Sequence, residues 1–163
     1  MFMLYWETSD GRKMEYCNLG SELVQNTILM DCVKEPLLDP STIDISVGDC
    51  YYDAIEVRHK ATKYHDLAME LAGCAMVLKH IGLTDKAQAV SHYASVLESR
   101  AAHYANGYTL SQGVLYRSAA WLAYHGGDSE RAISYAHCGL NIEGVPEEIR
   151  EELREVLEVA KGG

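Results

Sequence analysis

Leu115–Leu140 reads LYRSAAWLAYHGGDSERAISYAHCGL, and its spacing decides the fold. In the first arm Leu115, Ala119, Leu122 and Ala123 recur at steps of three and four, while Val114, Trp121 and Tyr124 cover much of the remaining surface. A helix apolar nearly all round is buried between neighbours. Gly126-Gly127 then supplies the left-handed backbone that ends one helix and turns the chain. The second arm opens on Asp128 or Ser129 as N-cap with Glu130 in the first turn, where side-chain oxygens offset exposed amides and the positive end of the dipole. Its apolar side is Ala132, Ile133, Tyr135, Ala136 and Leu140. Small residues at Ala119, Ala120, Ala123, Ala132, Ala136 and Gly139 predict two antiparallel helices in close contact.

Working outward, the pattern recurs. A step of 45 positions carries Ala75 onto Ala120, Gly82 onto Gly127, Lys86 onto Arg131 and Ala87 onto Ala132. Upstream, Ala54, Val57, Ala61, Tyr64, Ala68, Leu71, Ala75 and Leu78 predict a helix from Tyr51 to about His80, which Gly73 is placed to bend. After Gly82, the stripe Ala87, Val90, Ala94, Leu97, Ala101, Tyr104 and Tyr108 predicts its antiparallel partner, ended by Asn106-Gly107. Downstream, Pro146 fits a first helical position, with Glu147 and Glu148 in the first turn. Ile149, Leu153, Val156, Leu157 and Ala160 then face inward, and Glu147–Arg150 and Glu151–Arg154 pair outside.

These hairpins resemble the tetratricopeptide repeat, a helix–turn–helix unit of about 34 residues. Tyr116 stands at its first large position, Ala120 and Gly139 at small ones, and Gly127-Asp128 followed by Arg131-Ala132-Ile133 matches the turn and second helix. Ala119, Ala123 and Ala136 replace a leucine and two aromatics, and Pro146 comes two residues late. The resemblance implies a stack of elongated hairpins closed by a capping helix. It also implies a ligand surface on the exposed side of each first helix, here Arg117, Trp121, Tyr124 and His125 from one unit and Met69, Met76, Lys79 and His80 from the other. Cations beside aromatics suit an acidic protein or peptide partner.

Residues 1–48 read as an acidic, β-rich extension, and 49–163 as the helical domain. Phe2, Leu4 and Trp6 alternate with Met3 and Tyr5, Ser9-Asp10-Gly11-Arg12 has turn chemistry, and Met14 and Tyr16 complete a β-hairpin. An isolated hairpin is marginal in water, so it must dock on the helices, a further strand, or a second copy in a homodimer. Residues 19–35 suit a helix through Leu23, Val24, Ile28, Leu29 and Val33 or a buried strand through Thr27-Ile28-Leu29-Met30, with the strand over 27–34 preferred, and Ile43, Ile45 and Val47 alternate as another short strand.

Of the 163 residues, positions 1–56 carry 11 acidic against 3 basic residues, 57–144 carry 7 against 8 with all seven histidines, and the tail carries 6 against 3. A net charge of −10 disfavours nucleic-acid backbone binding. Nothing approaches the roughly 18–20 apolar residues of a membrane span, and MFMLYW is too short for a secretion signal, so a cytoplasmic protein is expected. Five scattered cysteines without a CxxC pair predict buried, reduced thiols rather than disulfides or zinc.

Catalytic signals are sparse. Arg58 and His65 resemble the arginine–histidine pattern of the HEPN helical nucleases, which implies histidine acid–base chemistry and an arginine on phosphate charge. That pair is the enzymatic alternative to a non-catalytic binding module. His92, Ser99 and His103 share one polar stripe and His59, Lys63, Asp66 and Glu70 another, without the Glu-x-x-His spacing of a helical-bundle metal site. No phosphate loop or nucleophile motif is present, so neither metal nor cofactor is expected.

Overall fold

The computed structural model describes residues 2–8, 11–17, 27, 38–47 and 53–162, with side chains for 11–15, 27 and 60–162. Five helices carry most of them: α1 (Asp53–His80), α2 (Thr84–Tyr104), α3 (Thr109–His125), α4 (Ser129–Leu140) and α5 (Glu147–Gly162). Each packs chiefly on its neighbour in sequence, and α3 also meets α5. The architecture is mainly α with a small N-terminal sheet.

The two glycine turns share one hydrogen-bond pattern 45 residues apart. Gly82 N donates to Lys79 O and Leu83 N to Leu78 O; Gly127 N donates to Tyr124 O and Asp128 N to Ala123 O. This pair of bonds is the Schellman closure, which requires a left-handed residue between them. Gly82 and Gly127 supply it, with φ of +88° and +79°. Helix starts differ: Asp128 accepts from Arg131 N at 2.9 Å, whereas Leu83 offers no side-chain cap.

Gly126 serves a different purpose, since its φ is an ordinary −79°. A Cβ there would lie 2.8 Å from His92 N and 2.9 Å from His92 Cα, so glycine is what lets the end of α3 rest on the α2 backbone. Gly139 likewise leaves room for Leu153 and Tyr116. Ala119, Ala120, Ala123, Ala132 and Ala136 are all fully buried, as their small size predicted.

The all-round buried helix is α2. Beyond the expected stripe it buries Ser91, Ser95, Val96, Glu98 and Ala102, because α1 covers one side and α3 the other. Two of these polar side chains are satisfied by carbonyls: Ser95 Oγ donates to His92 O within α2 at 2.6 Å, and Ser91 Oγ to Leu122 O of α3 at 3.0 Å. A serine that bonds a carbonyl can enter a core at little cost. Tyr108 leaves the stripe, since α2 ends at Tyr104 and Tyr108 is exposed. One apolar cluster joins α1, α2 and the start of α3; a second joins α3, α4 and α5. On α5 the predicted Glu151–Arg154 pair is not made; Arg154 reaches Glu147 at 2.7 Å and Arg150 Nη1 caps Leu140 O at 2.9 Å.

Three strands, β1 (Phe2–Thr8), β2 (Lys13–Cys17) and β3 (Leu38–Val47), form an antiparallel sheet in the order β2-β1-β3. The hairpin register pairs Leu4 with Tyr16 and Trp6 with Met14. β1 is the central strand, paired along one edge with β2 and along the other with β3. β3 lies against α1 and α2, and Met14 packs on the first core cluster. The strand expected over 27–34 lies outside the described residues apart from Thr27, which is helical. Cys138 is exposed and Cys74 half-buried, contrary to the expectation of buried thiols. The other three cysteines have no described side chain.

Candidate functional site

Two concavities open at opposite ends of the α1–α2–α3 layer. The first, about 420 Å³, is floored by Ala87, Gln88 and Ser91 of α2 and walled by α1 and α3. It brings together Met76 and Lys79 from α1 with His125 and Leu122 from α3. Three of the eight expected docking residues therefore meet in one groove. Met76 is 75% exposed, and Val77, Ile81 and Leu83 extend the uncovered apolar surface toward the turn. Lys79 makes no ion pair with any described residue, leaving its ammonium available to a carboxylate.

The other five lie elsewhere. Arg117 turns to α5 and binds Glu152 at 3.1 Å. Trp121 and Tyr124 are half-buried against the second core cluster, because α5 covers the side of α3 that the repeat resemblance left open. Trp121 still reaches the groove indirectly, stacking on His125 with ring centres 6.0 Å apart and planes 22° apart. Met69 and His80 are exposed on α1 but do not line the groove. Sequence reasoning missed the α2 floor; the only trace of it was Gly126, which admits the close crossing of α3 over α2.

The second concavity, a cleft of about 500 Å³, is lined by Ala61, Thr62 and His65 of α1, Tyr104 of α2, and Tyr108, Leu110, Ser111 and Val114 around the start of α3. His65 Nδ1 lies 2.7 Å from Glu98 Oε1. Glu98 is completely buried, and its Oε2 has no hydrogen-bond partner. Ser118 also favours the charged carboxylate, opposing the effect of burial. Arg58 lies on the helical backbone of α1 about two turns before His65, and its side chain is outside the described residues.

The two titrations of this pair push stability in one direction. The Glu98 hydrogen bond raises the His65 pKa above the usual 6.5, with burial opposing it. Burial raises Glu98 above the usual 4.5, with His65 opposing it. A histidine raised on folding contributes stability below 6.5 that is lost as pH rises through its folded value. A carboxyl raised on folding loses stability as it ionises above 4.5. Both terms make the fold weaken as pH rises from about 5 to 8. His92, lowered by burial and by Arg131, contributes the opposite slope below 6.5. Urea midpoints are expected to fall over this interval in the parent, and Glu98→Gln is expected to gain on the parent more at pH 8 than at pH 5. An equal offset at both pH values would refute the coupling.

The two polar stripes do not converge. Ser99 Oγ donates to Val96 O at 2.7 Å, His103 packs on Tyr104, and His92 Nδ1 sits 3.6 Å from Asp128 Oδ2. Among the described residues no three His, Cys, Asp or Glu side chains are grouped to hold a metal ion, and no helix is long and apolar enough to cross a membrane. Compared with known proteins, the chain matches no family model, no curated protein and no solved structure.

Proposed function

We propose that this protein is a non-catalytic docking module, tetratricopeptide-like in build, whose groove over α2 takes a peptide segment bearing apolar anchors and a carboxylate. The meeting of Met76, Lys79 and His125 across that groove carries the reading. Methionine is unbranched and polarizable, so it moulds to varied apolar partners. Lys79 provides an ammonium for charge-assisted bonds at the groove wall, beside the His125 ring. The exposed Val77 and Ile81 alongside extend the contact beyond a single side chain.

Selection of a displayed random-peptide library on the immobilised whole protein is expected to enrich peptides that combine acidic and large apolar residues. Met76→Glu and Lys79→Glu are each expected to weaken the best synthesised peptide by about tenfold, equivalent to roughly 1.4 kcal/mol. Thermal melts are expected to stay unchanged, since both side chains are exposed. Selected peptides that bind both variants as well as the parent would overturn the proposal.

A further inference from the structure

The geometry points to the His65 cleft as a second site, one for an amphiphilic monocarboxylate: a small molecule with an apolar body and one carboxylate. It is independent of the peptide groove, lying about 20 Å away along α1. Its volume, about 500 Å³, is that of a small-molecule pocket. Ala61, Ala105, Leu110, Val114 and Leu115 make it largely apolar, with the Tyr104 and Tyr108 side chains adding flat surface.

The polar features are few and point to one sign of charge. Glu98 engages Nδ1 of His65, which leaves Nε2 as the ring nitrogen available to a ligand. A buried carboxyl with one unmatched oxygen is costly, and the 2.7 Å contact with His65 Nδ1 is the compensation it finds here. When the ring carries its second proton, the cleft wall presents an Nε2–H donor backed by a counterion. Asp66 beside it on α1 reinforces the protonated ring, while Lys60 sits over the Tyr104 ring at 5.5 Å. From α3, Ser111 adds a hydroxyl to the lining.

The start of α3 adds positive potential from the other side. Tyr108 occupies the N-cap position without a side-chain hydrogen bond, and there is no acidic residue in the first turn. Uncapped first-turn amides carry a partial positive charge. His65 and this helix end converge on an otherwise apolar hollow. A neutral amphiphile would leave both donors unanswered, and a cation would be repelled by both.

Isothermal titration of the full chain at pH 6 with decanoate, decanol and decylammonium, which share one apolar body, separates these cases. Decanoate is expected to bind at least about tenfold tighter than the other two. His65→Gln, which keeps a donor toward Glu98 but loses the cationic Nε2–H, is expected to cost about tenfold in decanoate affinity. Ser111→Trp, at an exposed rim position, is expected to abolish binding by filling the cleft, and circular dichroism of both variants is expected to match the parent. Equal affinity for the three headgroups, decanoate binding indifferent to both substitutions, or no saturable binding at all would each overturn the proposal.

Discussion

Leu153→Ala is expected to destabilise the protein by about 2 to 5 kcal/mol, the range for deleting a fully buried leucine side chain and leaving a cavity. Leu153 is completely inaccessible in the second core cluster, where α5 closes the stack against α3 and α4. At this chain length the melting temperature falls by about 2 to 4 °C per kcal/mol. The same substitution should reverse the sign of a second one. In the parent, a Cβ at Gly139 would lie 2.8 and 3.0 Å from the Leu153 methyl carbons and 3.3 Å from Tyr116 Cβ. Overpacking of that kind costs about 1 to 3 kcal/mol, more than the roughly 1 kcal/mol that alanine gains over glycine inside a helix. With Leu153 truncated the two methyl clashes disappear, the remaining 3.3 Å approach to Tyr116 Cβ needs a shift of only a few tenths of an ångström, and the propensity gain remains. Gly139→Ala is therefore expected to destabilise the parent and to stabilise the Leu153→Ala variant. Urea denaturation of the four proteins in this double-mutant cycle gives the test, and additive effects would show that the two positions do not share the contact.

The adjacent glycines of the α3–α4 turn are expected to respond differently to identical changes. Gly126→Ala is expected to cost about 1 to 3 kcal/mol by overpacking, because its Cβ would meet the backbone of His92, which cannot rotate away. Asparagine at 126 is expected to be no better. Gly127→Ala faces only the strain of a left-handed residue, about 1 to 2 kcal/mol, since its nearest new neighbour would be the Gln88 side chain at 3.8 Å. Gly127→Asn is expected to recover much of that loss, because asparagine visits the left-handed region more readily. Gly126 directly follows His125, which lines the groove over α2, so under the proposed function Gly126→Ala is expected to weaken peptide binding while Gly127→Asn leaves it near the parent level. Equal behaviour of the two positions in chemical denaturation would mean that the α3–α2 contact is not tight there.

Much of the architecture was legible because it depends on local chemistry. Asp128 capping α4, the left-handed Gly82 and Gly127, the antiparallel hairpin pairing Trp6 with Met14, and the buried alanines all follow from side-chain size, cap chemistry and backbone freedom within a few residues. The displaced docking residues illustrate the boundary. Arg117, Trp121 and Tyr124 lie on the side of α3 that a repeat pattern leaves open, yet α5 folds back over it and Glu152 captures the guanidinium. No property of residues 115–125 alone could report that.

Glu98 shows the same limit at the level of a single group. In sequence it is one acidic residue on a long helix, four positions after Ala94 and three before Ala101 at the border of the apolar stripe. Its burial, its bond to His65 and the raised pKa of both groups arise only when α1 and α3 enclose α2 from opposite sides. Hydrophobic periodicity, caps and glycines, acting over a turn or two of chain, determined which segments became helices and where they reversed. Which faces stayed open, and which charges ended up without water, depended on contacts between residues more than thirty positions apart, which only the packed tertiary structure decided.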